Sequence, residues 1–170
     1  MIGGPTRIYE SLLPVFESFA EHIFHVGPSG AGHTMKLAGN YLSILYVALY
    51  AEILPVLQKL GVDGEKFFDL VSASGGNSPM FQRMAPKILH SDYTMDFRLN
   101  FAIKDLSYAH RLFEEVRAPS SLLDAGMNLF RMAERLGLGE QDISSVARVM
   151  QDLLGVSGTD AKTSPGEPAS

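Results

Sequence analysis

From about Ala31 to Leu60 nearly every position of the chain is apolar. A helix apolar all round must be surrounded by others, so this stretch predicts a long central helix. Pro55 cannot donate to the carbonyl of Ala51, which predicts a kink, and Gly61 is a natural C-terminal stop. Shorter amphipathic segments flank it. Thr6 is a candidate N-cap for a helix to about Phe19, with Leu12, Leu13, Phe16 and Phe19 on one face and Pro14 as a possible bend. His22-Ile23-Phe24-His25-Val26 alternates like a short strand ended by Gly27-Pro28. Asp63 caps a short helix through Val71, Ser74-Gly75-Gly76-Asn77 breaks the chain, and Ser78-Pro79 opens the next helix. His90 to Asp96 reads as irregular. Further helices run from Phe97 or Asn100 to about Val116, from near Ser120 to Leu136, and from Ile143 to Leu154 with Asp142 as cap. From Gly155 onward too few apolar residues remain to pack, which predicts disorder. Six or seven helices with at most one short strand make the chain all-α. A chain of 170 residues does not fully cover such a central helix, so a partner subunit or a further domain is expected.

A membrane span is the competing explanation of the apolar run. Leu37 to Leu57 is 21 residues long with Glu52 as its only charge. It also holds Asn40, Ser43 and Pro55, and a buried core helix explains those better. Hydrophobic content of 46% and a net charge of −5 are ordinary for a globular protein. No lysine or arginine block supports nucleic-acid binding. The absence of cysteine excludes disulfides and thiolate zinc sites. Met1-Ile2-Gly3-Gly4-Pro5 does not resemble a signal peptide, so a cytoplasmic location is expected.

Candidate chemistry concentrates where a glycine-rich loop, Gly27-Pro28-Ser29-Gly30-Ala31-Gly32, enters the long helix. His33, Lys36, Asn40 and Ser43 follow at spacings that share one helical face. A polar stripe on a helix built for burial is costly unless it lines a site. Lys36 can serve as a general acid or base if its pKa is brought towards neutrality; otherwise it is a lysine whose ammonium snorkels to water. Asn40 can orient a substrate carboxylate or hydroxyl, or be a buried amide satisfied by another helix. Lys104-Asp105, after Phe101-Ala102-Ile103, can put a cation into a cleft while the acid anchors a neighbour, or be two solvated charges. The glycine turn can admit an anion or a close backbone approach. It is no dinucleotide fingerprint, because the third glycine would fall at Met35 and no βαβ unit surrounds it. The five histidines match no metal-binding spacing, so no metal site is expected.

The pattern Gly27-x-x-Gly30-x-Gly32-x-x-x-Lys36-x-x-x-Asn40 resembles the catalytic segment of β-hydroxyacid dehydrogenases, the group of 3-hydroxyisobutyrate dehydrogenase and tartronate semialdehyde reductase, related to 6-phosphogluconate dehydrogenase. Ser74-Gly75-Gly76-Asn77-Ser78, Phe97 through Lys104-Asp105-Leu106, Ala118-Pro119 and Gly137-Leu138-Gly139-x-x-Asp142 extend the resemblance over about residues 1 to 153. It implies an all-α fold like the C-terminal domain of 6-phosphogluconate dehydrogenase, a helical bundle around a long central helix, preceded by a short helix–strand remnant of a Rossmann domain. Residues 1–27 would be the end of a truncated Rossmann domain, 28–154 the helical substrate and dimerisation domain, and 155–170 a disordered tail.

The implied reaction is reversible hydride transfer between NAD or NADP and a small β-hydroxyacid. Lys36 would be the general acid/base. Asn40, Gly30 and Lys104 would bind substrate, and Lys104 with Asp105 would lie by the cofactor. The missing Rossmann domain and a second copy, as homodimer or tetramer, are the implied partners. Many members carry two consecutive asparagines, whereas here the first position is Gly39, which puts the packing of the helix in question. The alternative is a non-catalytic helical interaction or dimerisation module derived from the same fold.

Overall fold

A computed structural model describes residues 1–156. Its elements are α1 (Thr6–Glu17), α2 (Ala31–Lys59), α3 (Gly64–Ser72), α4 (Pro79–Leu89), α5 (Leu99–Val116), α6 (Ser121–Arg135), a 3-10 turn (Ile143–Ala147) and α7 (Arg148–Leu154). The tail from 157 to 170, where disorder is expected, lies outside the described residues.

Helix α2 is the axis. Its 29 residues span about 44 Å, and α4, α5, α6, α7 and the 3-10 turn all pack along it. Val47, Ala51 and Leu54 of α2 are buried with Ile88, Leu106, Phe130 and Val146 from the surrounding elements. The helix continues through Pro55, which is itself buried. Among the described residues α2 alone is long and apolar enough to cross a bilayer, and here that length is the centre of a bundle. Gly126 lets α6 approach closely: a Cβ there would fall 2.3 Å from Leu45 Cδ2.

Local capping behaves as read at two helices. Asp63 Oδ1 accepts from the backbone N–H groups of Glu65 and Lys66 at the start of α3. Ser78 Oγ accepts from Phe81 N–H at the start of α4, with Pro79 in the first turn.

Three expectations are corrected. Pro5, extended at ψ 133°, precedes α1, and Thr6 is already helical with no capping bond. The strand at His22–Val26 is reduced to one parallel bridge between Ile2 and His25, because among the described residues the only segment beside it is Met1–Gly4, which pairs through three hydrogen bonds. The last helix is split, because Asp142 caps a tight 3-10 turn whose residues are all buried before α7 begins.

Among the described residues helix α1 packs against no other helix. It is held from one side by Tyr9 stacked on His25 at 4.6 Å, while His25 Nε2 bonds the Gly4 carbonyl at 2.7 Å. Ile8, Leu12, Val15 and Phe19 line its open side. A second open stripe runs along α2, where Leu42, Tyr46, Leu49 and Ile53 are exposed.

Candidate functional site

Lys36, Asn40 and Ser43 project from the first half of α2 into a cavity of about 380 Å³. Asp105 of α5 faces them. Met80, Arg83 and Met84 of α4 form another wall, and Asp96, Phe97 and Ile143 complete the lining. His33, from the same sequence stripe, is exposed and takes no part.

Asn40 is held in place: its Nδ2 donates to Asp105 Oδ2 at 2.6 Å. Lys104 Nζ lies 3.0 Å from Asp105 Oδ1, so this nearly buried carboxylate bridges two of the residues singled out in the sequence. Binding Nδ2 leaves the Asn40 carbonyl oxygen as an acceptor for a hydroxyl or amide. Lys104 itself is half exposed and rests over the rings of Phe101 and Tyr108, 5.5 and 5.9 Å from their centroids. It reaches the cavity through Asp105 and does not line it. Lys36 is exposed at the cavity's edge and has no ion pair among the described residues. Ser43 Oγ donates back to the Gly39 carbonyl.

Gly30 does not line the cavity. With φ +94°, it turns the chain into α2. The neighbouring glycines admit backbone: a Cβ on Gly3 would lie 2.5 Å from the Pro28 carbonyl oxygen, and one on Gly32 would lie 3.2 Å from that of Met1. The close approach expected of the loop is therefore made by residues 1–4. Gly39 faces open space, so the missing asparagine leaves the packing of α2 undisturbed.

Sequence reasoning missed the wall opposite α2. Residues 97–100 run antiparallel to 139–143, joined by Ile143 N–H to Phe97 O at 2.7 Å, Leu99 N–H to Gln141 O and Asn100 N–H to Gly139 O. Asp142, read only as a cap, is fully buried at the centre of this wall. Its Oδ2 accepts from the backbone of Asp96 and Phe97, and its Oδ1 from the backbone N–H and hydroxyl of Ser144. Lys87 of α4 sits 3.2 Å from Asp142 Oδ1 and 3.0 Å from Asp96 Oδ2, and donates also to the Thr94 carbonyl. Arg83 contacts the same Asp96 oxygen through Nη2 at 3.3 Å and Nε at 3.4 Å.

Burial raises the Asp142 carboxyl, but its hydrogen bonds from Ser144, Asp96 and Phe97 outweigh that and hold it below the ordinary aspartate value. The Lys87 ammonium does the same for Asp96. The one sequence signal was Lys87 itself, a lysine between Ala85 and Ile88 on the apolar face of α4; its partners could not be read.

The family described as NAD-binding of NADP-dependent 3-hydroxyisobutyrate dehydrogenase matches residues 30–150. A 2-(hydroxymethyl)glutarate dehydrogenase from Eubacterium barkeri is 30% identical over 92% of this chain and 52% of its own length. An L-threonate dehydrogenase from Cupriavidus necator is 30% identical over 90% of this chain and 52% of its own. Among solved structures, a 3-hydroxyisobutyrate dehydrogenase from Salmonella typhimurium superposes with a TM-score of 0.79 at 26% identity, covering 86% of this chain and 52% of that one. The chain thus spans about half the length of the relatives it matches.

Proposed function

The chain belongs to the family of NAD-binding domains of NADP-dependent 3-hydroxyisobutyrate dehydrogenases, and on that premise we propose that it is the catalytic helical part of a hydroxyacid dehydrogenase, with Lys36 as general acid/base. The observation that carries the reading is the convergence of Lys36 and an oriented Asn40 on one cavity. The homologues are hydroxyacid dehydrogenases, and the family's cofactor is NAD or NADP.

The donor set bears on the cofactor. Among the described residues no βαβ unit offers a glycine turn for a pyrophosphate. Lys104, over the exposed Phe101 and Tyr108, and the adjoining Asp105 instead offer a cation, flat apolar faces and an acceptor, which fit the nicotinamide end of a dinucleotide. When bound, that group supplies the hydride acceptor. The chain's own residues do the rest. Lys36 takes the proton of the substrate hydroxyl in oxidation and returns it in reduction. Asn40, locked by Asp105, accepts or donates a hydrogen bond to the substrate so that the reacting carbon is held in one pose.

Residues 28–154 form the helical domain in this reading. Residues 1–27, whose α1 leaves an apolar side bare, belong with the dinucleotide-binding domain. The stripe of Leu42, Tyr46, Leu49 and Ile53 pairs two copies, while Leu45 packs against Gly126.

The test is kinetic. Joined to a dinucleotide-binding domain, the chain turns over NAD or NADP with a β-hydroxyacid, and alone it does not. Lys36→Ala lowers kcat by about 10²–10⁴-fold with KM little changed. Lys59→Ala, at the far end of the same helix, leaves the rate as it was. Equal, near-normal rates for both variants overturn the assignment.

A further inference from the structure

We infer that Arg83 is a specificity residue, and that the substrate of this cavity carries a second carboxylate at the end remote from its reacting carbon. The inference rests on the functional reading above and adds to it the class of acid. Arg83 lines the same cavity as Lys36 and Asn40, but from α4 rather than α2. The guanidinium is a planar fork of five N–H donors. Here Nε and Nη2 both turn to a single oxygen, Asp96 Oδ2, at 3.4 and 3.3 Å, and the side chain is half exposed. Nη1 has no partner among the described residues. That same Asp96 oxygen is already claimed by Lys87 at 3.0 Å. One carboxylate oxygen therefore serves two cations, and Arg83, the more exposed of them, keeps donors to spare at long contact distances.

The neighbouring cation is not free to share the task. Lys87 is buried, and its ammonium is occupied by Thr94 O, Asp96 and Asp142. The far wall thus offers one guanidinium with unengaged donors, a planar fork that matches the two oxygens of a carboxylate. At the other wall Lys36 has no ion pair among the described residues. A cavity of about 380 Å³ with a cation at each side is roomier than a three- or four-carbon monoacid requires. Met80 and Met84, also of α4, line the cavity with Arg83 and give it an adaptable apolar wall.

A matched pair of probes tests this on the chain itself. 3-Hydroxyglutarate is 3-hydroxybutyrate with a second carboxylate at the far end. Their binding is read by NMR from the methyl groups of Met80, Met84, Ile44 and Ile143. The wild-type chain should bind 3-hydroxyglutarate about tenfold more tightly than 3-hydroxybutyrate, the size of one charge-assisted contact. Arg83→Gln should abolish that difference while leaving 3-hydroxybutyrate where it was. Arg83→Lys, which keeps the charge but loses the fork, should retain only part of it and serves if the glutamine variant folds poorly. Lys36→Gln should weaken both ligands. If Arg83→Gln leaves the preference in place, or the wild type has none, Arg83 is only a structural partner of Asp96 and the inference fails, while a weakening by Lys36→Gln still upholds the functional reading. If Lys36→Gln weakens neither ligand, or neither ligand shifts the cavity methyls, that reading falls and the inference falls with it.

Discussion

At the scale of single residues, the group with the most dependants is Asp142. It is fully buried and pairs with Lys87 while accepting from three backbone N–H groups. Removing one partner of a buried pair leaves a charge without compensation, which is more damaging than never having the pair. Asp142→Asn should cost about 3 kcal/mol, read as a lowered urea midpoint at neutral pH. The pH dependence has a definite sign. The folded carboxyl ionises at lower pH than the unfolded one, whose value is about 3.9. The stability that this adds is complete above about pH 4 and is lost as pH falls through the folded value. Wild-type protein should therefore lose stability more steeply than the asparagine variant below about pH 4; parallel acid limbs would refute this.

Gly39 gives the opposite case. It lies mid-helix on the open side of α2, and an added Cβ meets nothing. Gly39→Ala should raise stability by roughly 0.5–1 kcal/mol, because alanine loses less freedom on entering a helix. A fall in the urea midpoint would mean that the position is less open than its geometry implies.

At the scale of elements, the N-terminal segment and the start of α2 depend on each other through Gly3. Its Cβ position is blocked by the backbone oxygen of Pro28, which cannot rotate aside as a side chain would. Gly3→Ala should detach residues 1–4 and speed amide exchange at Ile2, Gly4 and Val26, the donors that tie this segment down, while the core amides of α5 and α6 keep their protection. This contrast also separates what the sequence disclosed from what it withheld. The starts of α3 and α4 were legible because Asp63 and Ser78 act on amides two and three residues away. The strand at His22–Val26 was not, because a strand needs neighbours that a local pattern cannot supply. The face carrying Lys36 and Asn40 was legible from spacing on one helix. Its partner Asp105 was legible as a charge in context but not as a contact, since the two lie 65 positions apart in the chain. Arg83 and Asp96 were illegible because a loop folds back to bring them together.

At the scale of the whole molecule, the open stripe of α2 sets the expected assembly. Leu42, Tyr46, Leu49 and Ile53 are spaced to form one continuous apolar face on the longest element. A surface of that kind seldom stays in water. Light scattering at micromolar concentration should give twice the chain mass or more, and Leu49→Arg should shift it towards the single-chain value without loss of helical signal. A monomeric wild type would remove the stripe from the proposed interface and leave the cavity untouched, because Lys36, Asn40 and Ser43 project from a different side of the helix.

The wall built around Asp142 has one more consequence, and it concerns entropy. The backbone of residues 96 and 97 is tied to a buried carboxylate before any molecule enters the cavity. A ligand arriving there finds the loop already ordered and has to still only a few long side chains, Lys36 and Arg83 chief among them. Each such side chain costs roughly 0.5–1.5 kcal/mol to immobilise, far less than the ordering of a whole loop. The buried aspartate, which never meets the ligand, thereby lowers the entropic cost of binding for every ligand alike, and leaves discrimination between ligands to the arms that still move.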